Sequence, residues 1–137
     1  MNKTLVRTHK VLAAYISIGT FVQMFLAGIW HAEVVSTPDA HVFFGLSMLL
    51  AALIALIIAA VGRFPRAILG RTALLFVLIL LQPILIEARR NGLPLLSALH
   101  TLNAAFIGVV GGMVAAKSGS MQTVDSDEAV VTAVAGD

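Results

Sequence analysis

Apolar residues in this chain come in long uninterrupted runs, not in the alternation of a half-buried strand. Four runs stand out: Val11 to Trp30, His41 to Val61, Thr72 to Ile86 and Leu95 to Ala116. The second has no charged residue between His41 and Arg63, and the third extends from near Leu69 through Ala88. About 20 apolar residues carry a helix across a bilayer. Lipid admits only helices or closed barrels, and the absence of alternation removes the barrel. The pattern therefore predicts an all-α, integral membrane four-helix up-down bundle over residues 11–116, with spans near 11–30, 38–61, 69–88 and 94–116. Residues 1–10 read as a cytoplasmic N-terminal segment, and 117–137 as a mobile acidic cytoplasmic tail without helical periodicity.

The polar punctuation refines this outline. Ser36 or Thr37 is placed to cap a helix whose first residue is Pro38, and Pro94 opens the fourth helix in the same way. Lys3, Arg7 and Lys10 precede the first run as they would in a signal peptide. That run is longer than the 7–15 residues usual there, and no A-x-A site follows Trp30, so it reads as a retained helix. With a cytoplasmic N-terminus, Lys3, Arg7, Lys10, Arg63, Arg66, Arg71 and Lys117 lie inside and only Arg89 and Arg90 outside. This positive-inside bias predicts a multi-pass protein with both termini in the cytoplasm.

Composition narrows the chemistry. Of 137 residues, 59% are hydrophobic and 12% charged, and mean hydropathy is +0.98. A small soluble domain cannot hide that much hydrocarbon, which excludes a soluble enzyme. There is no cysteine, so disulfides, thiolate metal sites, iron–sulfur clusters and C-x-x-C-H haem attachment are excluded. Any metal here must be held by nitrogen or oxygen. The net charge of +2 and pI near 9.5 do not indicate nucleic acid, because the basic residues flank apolar runs and no aromatics accompany them.

Polar groups at membrane depth are costly and mark function more often than in water. Gln23 on the first helix, His41 on the second, Gln82 on the third, and His100 with Asn103 on the fourth all fall in the outer half of the bilayer. At 1.5 Å per residue, His41 lies ~4.5 Å below Pro38 and His100 ~9 Å below Pro94. Helices two and four run parallel and sit on a diagonal of the bundle, roughly 11–14 Å apart. Two inward imidazoles at matched depth leave a gap suited to one metal centre, with a flat macrocycle edge-on between the helices. That is the arrangement of a bis-histidine b-type haem, with His41 and His100 on the iron.

Each feature has a plainer reading beside it. Gly45, one turn after His41, offers a smooth wall for a porphyrin or a packing contact; Ala104, Gly108, Gly112 and Ala116 continue such a seam. Gln23 and Gln82 can bond one another, and Gln82 can instead satisfy a carbonyl freed by Pro83. His31 beside Trp30 reads as interfacial, and His9 between Arg7 and Lys10 as a cytoplasmic juxtamembrane residue. His31, Glu33, Asp39 and His41 make a weaker alternative set for zinc or copper.

The run Gln23-Met24-Phe25-Leu26-Ala27-Gly28, then Asp39-Ala40-His41 with Gly45, Gln82-Pro83, and Leu99-His100-x-x-Asn103 resembles a family of uncharacterised bacterial four-helix membrane proteins. The resemblance covers roughly residues 10–116 and implies the bacterial cytoplasmic membrane and a fold without an activity. More distantly, the chain is similar to one four-helix half of haem A synthase. That likeness implies His41 and His100 as axial ligands. Haem A synthase has two such halves and an acidic residue in the ligand helix next to its catalytic haem, whereas Asp39 falls on another face from His41. Haem binding is implied; catalysis of haem modification is not.

The expected function is a small membrane b-type cytochrome, carrying one haem b near the outer leaflet for electron transfer. Gly45, Asn103, Gln23 and Gln82 would surround the group, and Arg89 and Arg90 would pair its carboxylates. If it is an enzyme, it is a haem-dependent membrane oxidoreductase. Its partners would be the lipid bilayer, a redox protein or quinol, and further copies or a larger membrane complex. The alternative is a non-enzymatic structural or assembly subunit whose polar ring fastens the bundle.

Overall fold

The computed structural model describes residues 2–134; the side chains of residues 89, 90, 94 and 97, and those from 122 onward, lie outside that description. Four α-helices follow in order: α1 Lys3–His31, α2 Asp39–Val61, α3 Arg66–Arg90 and α4 Pro94–Val134. Consecutive helices pack on one another, and α4 closes the ring against α1. Among the described residues, the diagonal pairs α1/α3 and α2/α4 bring no backbone together and meet only through side chains at the centre. The expected all-α up-down bundle is the fold.

All four helices are long and apolar enough to cross a membrane, yet only 22–28% of each spanning window is buried within the bundle. The remaining faces carry Phe21, Phe25, Phe43, Leu50 and Val109 outward. Such surface is stable only against hydrocarbon. The chain is a multi-pass membrane protein. Its interior is narrow, with Ile16, Met48, Leu75, Ile79 and Ile107 at its centre and Val6, Ala59, Phe64 and Ile68 at one end.

Helix ends depart from the expected ones for local reasons. Asn2 caps α1, its Oδ1 accepting from the amides of Thr4 and Leu5, so residues 3–10 are helical instead of a separate segment. Val6 and His9 bury that added turn. Helix α2 starts one residue late: Pro38 is itself the N-cap, no side chain caps the helix, and Thr37 bonds Asp39 instead. Helix α3 begins at Arg66, where Pro65 O accepts from Ile68 and Leu69, and ends at Arg90. Helix α4 runs past residue 116 to Val134 in place of the expected non-helical tail, with Ser118 buried and Met121 packed on the Val6 cluster.

The turns that close the hairpins share one chemistry. Val34 N bonds Ile29 O and Glu33 N bonds Trp30 O; Phe64 N bonds Ala59 O and Arg63 N bonds Ala60 O. These are Schellman closures around a left-handed residue. Gly92 fills that position after α3, with φ 76°, but Glu33 (φ 59°) and Arg63 (φ 52°) fill it at a steric cost in the other two.

Candidate functional site

His41 lies in the first turn of α2, and its Nδ1 is 3.1 Å from Gln23 O on α1. His100 lies on α4, and its Nδ1 is 3.3 Å from Gln82 O on α3. A carbonyl can only accept, so Nδ1 carries the proton in both rings. Each neutral ring then keeps a lone pair on Nε2, which has no hydrogen-bond partner among the described residues. The two rings meet across the diagonal of the bundle, with centroids 6.1 Å apart and planes at 50°. Helices whose backbones stay apart are thus linked by a pair of imidazoles, each anchored from behind by the neighbouring helix.

This is a donor set of two nitrogens and nothing else. Among the described residues, no group of three or more His, Asp or Glu side chains is placed to hold a metal ion. The alternative set of His31, Glu33, Asp39 and His41 is therefore not assembled: His31 is exposed against Trp30, with ring centroids 4.8 Å apart, while His41 turns to Gln23. A metal bound here would have to bring its other ligands with it.

The remaining residues of the expected site fall around the pair in different ways. The side chains of Gln23 and Gln82 do not bond one another; each buries its Oε1 with no hydrogen-bond partner. Among the described residues, the Gln82 side chain does not satisfy Ile79 O, the carbonyl that Pro83 deprives of its helical donor, and Asn103 Nδ2 donates one residue earlier, to Leu78 O at 2.7 Å. Gly45 faces Gln23, whose Nε2 stands 2.6 Å from where a Cβ would be. Its missing side chain makes room for the amide. The side chains of Arg89 and Arg90 lie outside the described residues.

Lower in the bundle, the small residues of α4 are a packing seam. Ser17 donates to Gly108 O at 2.8 Å, and a Cβ on Gly111 would stand 3.2 Å from Ser17 N. Backbone of α1 and α4 approach closely there, as small residues permit.

One polar residue departs from its expected setting. His9 is fully buried, not juxtamembrane: Nδ1 is 2.9 Å from Ser118 Oγ, Nε2 is 3.0 Å from Thr72 Oγ1, and the ring sits edge-on to Phe64 at 5.0 Å. It joins α1, α3 and α4 at the end opposite the His41–His100 pair. The signal that could have found it is spacing, since His9 shares the three-and-four periodicity of Val6, Ala13, Ile16 and Thr20. Comparison with family models, curated proteins and solved structures finds no match to this chain.

Proposed function

We propose that this chain is a small membrane cytochrome b, holding one haem b between α2 and α4 with His41 and His100 as its axial ligands. The observation that carries the reading is the imidazole pair itself, facing across the diagonal with both Nδ1 atoms anchored and both Nε2 atoms free. Metal–imidazole nitrogen bonds run to about 2.0–2.1 Å and the nitrogen lies roughly 1.1 Å from the ring centre, so a shared metal sets the two centres about 6.3 Å apart. The 6.1 Å separation fits that spacing. Two nitrogen donors without a carboxylate suit a metal whose other four ligands come from a macrocycle. The orphaned Oε1 atoms of Gln23 and Gln82 suit a site built to hold more than the chain alone supplies.

When bound, haem b supplies a one-electron Fe(III)/Fe(II) couple. The protein's part is positional. The carbonyls of Gln23 and Gln82 fix each ring's tautomer and orientation and strengthen its free nitrogen as a donor. His41 and His100 would hold the iron from both sides and leave it no open position, which would favour electron transfer over chemistry on small ligands. The positive-inside bias supports a site in the outer half of the membrane with both termini inside, and a bacterial cytoplasmic membrane is part of the same reading. Arg89 and Arg90 then lie on the outer surface, where they would pair carboxylates of the group. An outer-side redox protein or a quinol would exchange the electrons.

The test is a visible spectrum of protein purified in mild detergent from haem-replete cells, oxidised and then reduced. The expected result is a Soret band with sharp reduced α and β bands, and His41→Ala and His100→Ala each lose the sharp α and β bands of the six-coordinate form. A colourless preparation overturns the reading and leaves the polar contacts as fastenings of a structural or assembly subunit.

A further inference from the structure

The two halves of the bundle repeat each other. Gln82 stands 59 residues after Gln23, and His100 stands 59 after His41. Each imidazole bonds a glutamine carbonyl 18 residues earlier in the chain, and each glutamine leaves its Oε1 buried and unpartnered. The same offset carries the left-handed turn residue Glu33 onto Gly92. It also carries buried positions onto buried positions: Ile16 onto Leu75 and Thr20 onto Ile79 between α1 and α3, Met48 onto Ile107 and Ala55 onto Val114 between α2 and α4.

Hairpins α1–α2 and α3–α4 run in the same sense, and the helices that correspond are the diagonal ones. The relation is therefore a pseudo-two-fold axis along the bundle, a parallel repeat and not an inverted one. Along that axis, packing keeps only size and apolarity. At the far end even polarity differs, since His9, Thr72 and Ser118 correspond to Ile68, Ala13 and Ala59. Among the polar residues at the depth of the site, identity survives at Gln23 with Gln82 and at His41 with His100.

We infer that the bundle is an internal duplication of one helical hairpin with the site on the axis between the halves, each hairpin contributing an equivalent half-site: an imidazole ligand, the carbonyl that holds it, and a glutamine amide that hydrogen-bonds what the site contains. This rests on the haem reading and deepens it. The porphyrin core and the propionate pair of haem b share a two-fold axis in the ring plane that exchanges its faces, vinyl and methyl positions apart, so a group on the protein's axis would meet the same surroundings on both. Gln23 and Gln82 are then paired positioning residues, one for each half. Their buried oxygens lack a partner among the described residues and would accept from a water held at the edge of the bound group, or from a protonated carboxyl of that group.

The experiment titrates ferric haem b into the full-length protein in detergent, for wild type, His41→Ala, His100→Ala, Gln23→Met and Gln82→Met. The expected wild type is six-coordinate and low-spin and, when reduced, does not bind carbon monoxide. Both histidine variants become five-coordinate and bind carbon monoxide alike. Both glutamine variants shift the reduction potential in the same direction by similar amounts. Without haem, neither lowers thermal stability, because the substitution removes a buried oxygen that had no partner. A merely structural amide would lower that stability and leave the potential unmoved, and that result overturns the inference. So does a potential moved by only one glutamine variant, or a low-spin spectrum kept by only one histidine variant. Wild type that takes up no haem overturns the proposed function itself, whereas failure in the variants alone overturns only the equivalence of the halves.

Discussion

Replacing His9 separates hydrogen bonding from packing at the buried end of the bundle. Its two partners do not depend on it: the neutral ring donates to one hydroxyl and accepts from the other, and each hydroxyl has a carbonyl of its own helix in reach, Ile68 O at 2.9 Å from Thr72 Oγ1 and Val114 O at 2.9 Å from Ser118 Oγ. Removing the imidazole therefore orphans neither hydroxyl, and the cost per hydrogen bond is the net value of about 1 kcal/mol, not a full desolvation penalty. His9→Leu keeps most of the volume. The corresponding position on α3 is Ile68, itself 2% exposed, so an aliphatic side chain suits a slot of this kind. His9→Leu is expected to cost about 2 kcal/mol, two hydrogen bonds with little cavity. His9→Ala also empties the space beside Phe64 and is expected to cost about 4 kcal/mol, the extra arising from the cavity. Reversible unfolding in mixed micelles of rising dodecyl sulfate fraction measures both. If His9→Leu is as damaging as His9→Ala, the hydroxyls depend on the imidazole after all and the reasoning fails.

Further expectations concern backbone, packing and a proline-containing helix. Arg63 occupies a left-handed position with φ 52°, so Arg63→Gly should stabilise by up to about 1 kcal/mol in the same unfolding assay. A methyl group on Gly70 would meet nothing within 4 Å, whereas one on Gly111 would stand 3.2 Å from Ser17 N. Gly70→Ala should therefore stabilise by about 1 kcal/mol through helix propensity, and Gly111→Ala should destabilise by about 1–3 kcal/mol by forcing α1 from α4. Asn103→Leu removes the 2.7 Å bond to Leu78 O beside Pro83 and should cost about 1–2 kcal/mol, read as a lower unfolding midpoint in the same micelles.

Much of the architecture is legible because lipid imposes one-dimensional rules. Length and apolarity count the spans, and a rise of 1.5 Å per residue sets His41 and His100 at similar depth. The parallel, diagonal placement of α2 and α4 follows from an up-down order with short connections. Ends are less legible. The Asn2 cap lies outside the apolar run it extends, and α4 continues past Lys117 because Ser118 and Met121 have interior partners on other helices. His9 is deceptive for the same reason: its charged neighbours suggest water, while Thr72 and Ser118, distant in sequence, bury it.

The duplication shows why facing direction is the harder quantity. At an offset of 59 residues, few positions besides Gln23 with Gln82 and His41 with His100 keep the same residue, so the repeat is evident only from which positions are buried. A soluble helix announces its inner face as an apolar stripe. Here the outer faces are apolar too, as exposed Phe21 and Phe43 show, so hydrophobicity says how far a residue lies along the helix but not which way it points. By itself, then, the sequence determined the number of spans, their alternation and the depth of the polar groups. Tertiary structure alone decided which of those groups meet, because only packing sets helix rotation when both lipid and core are hydrocarbon.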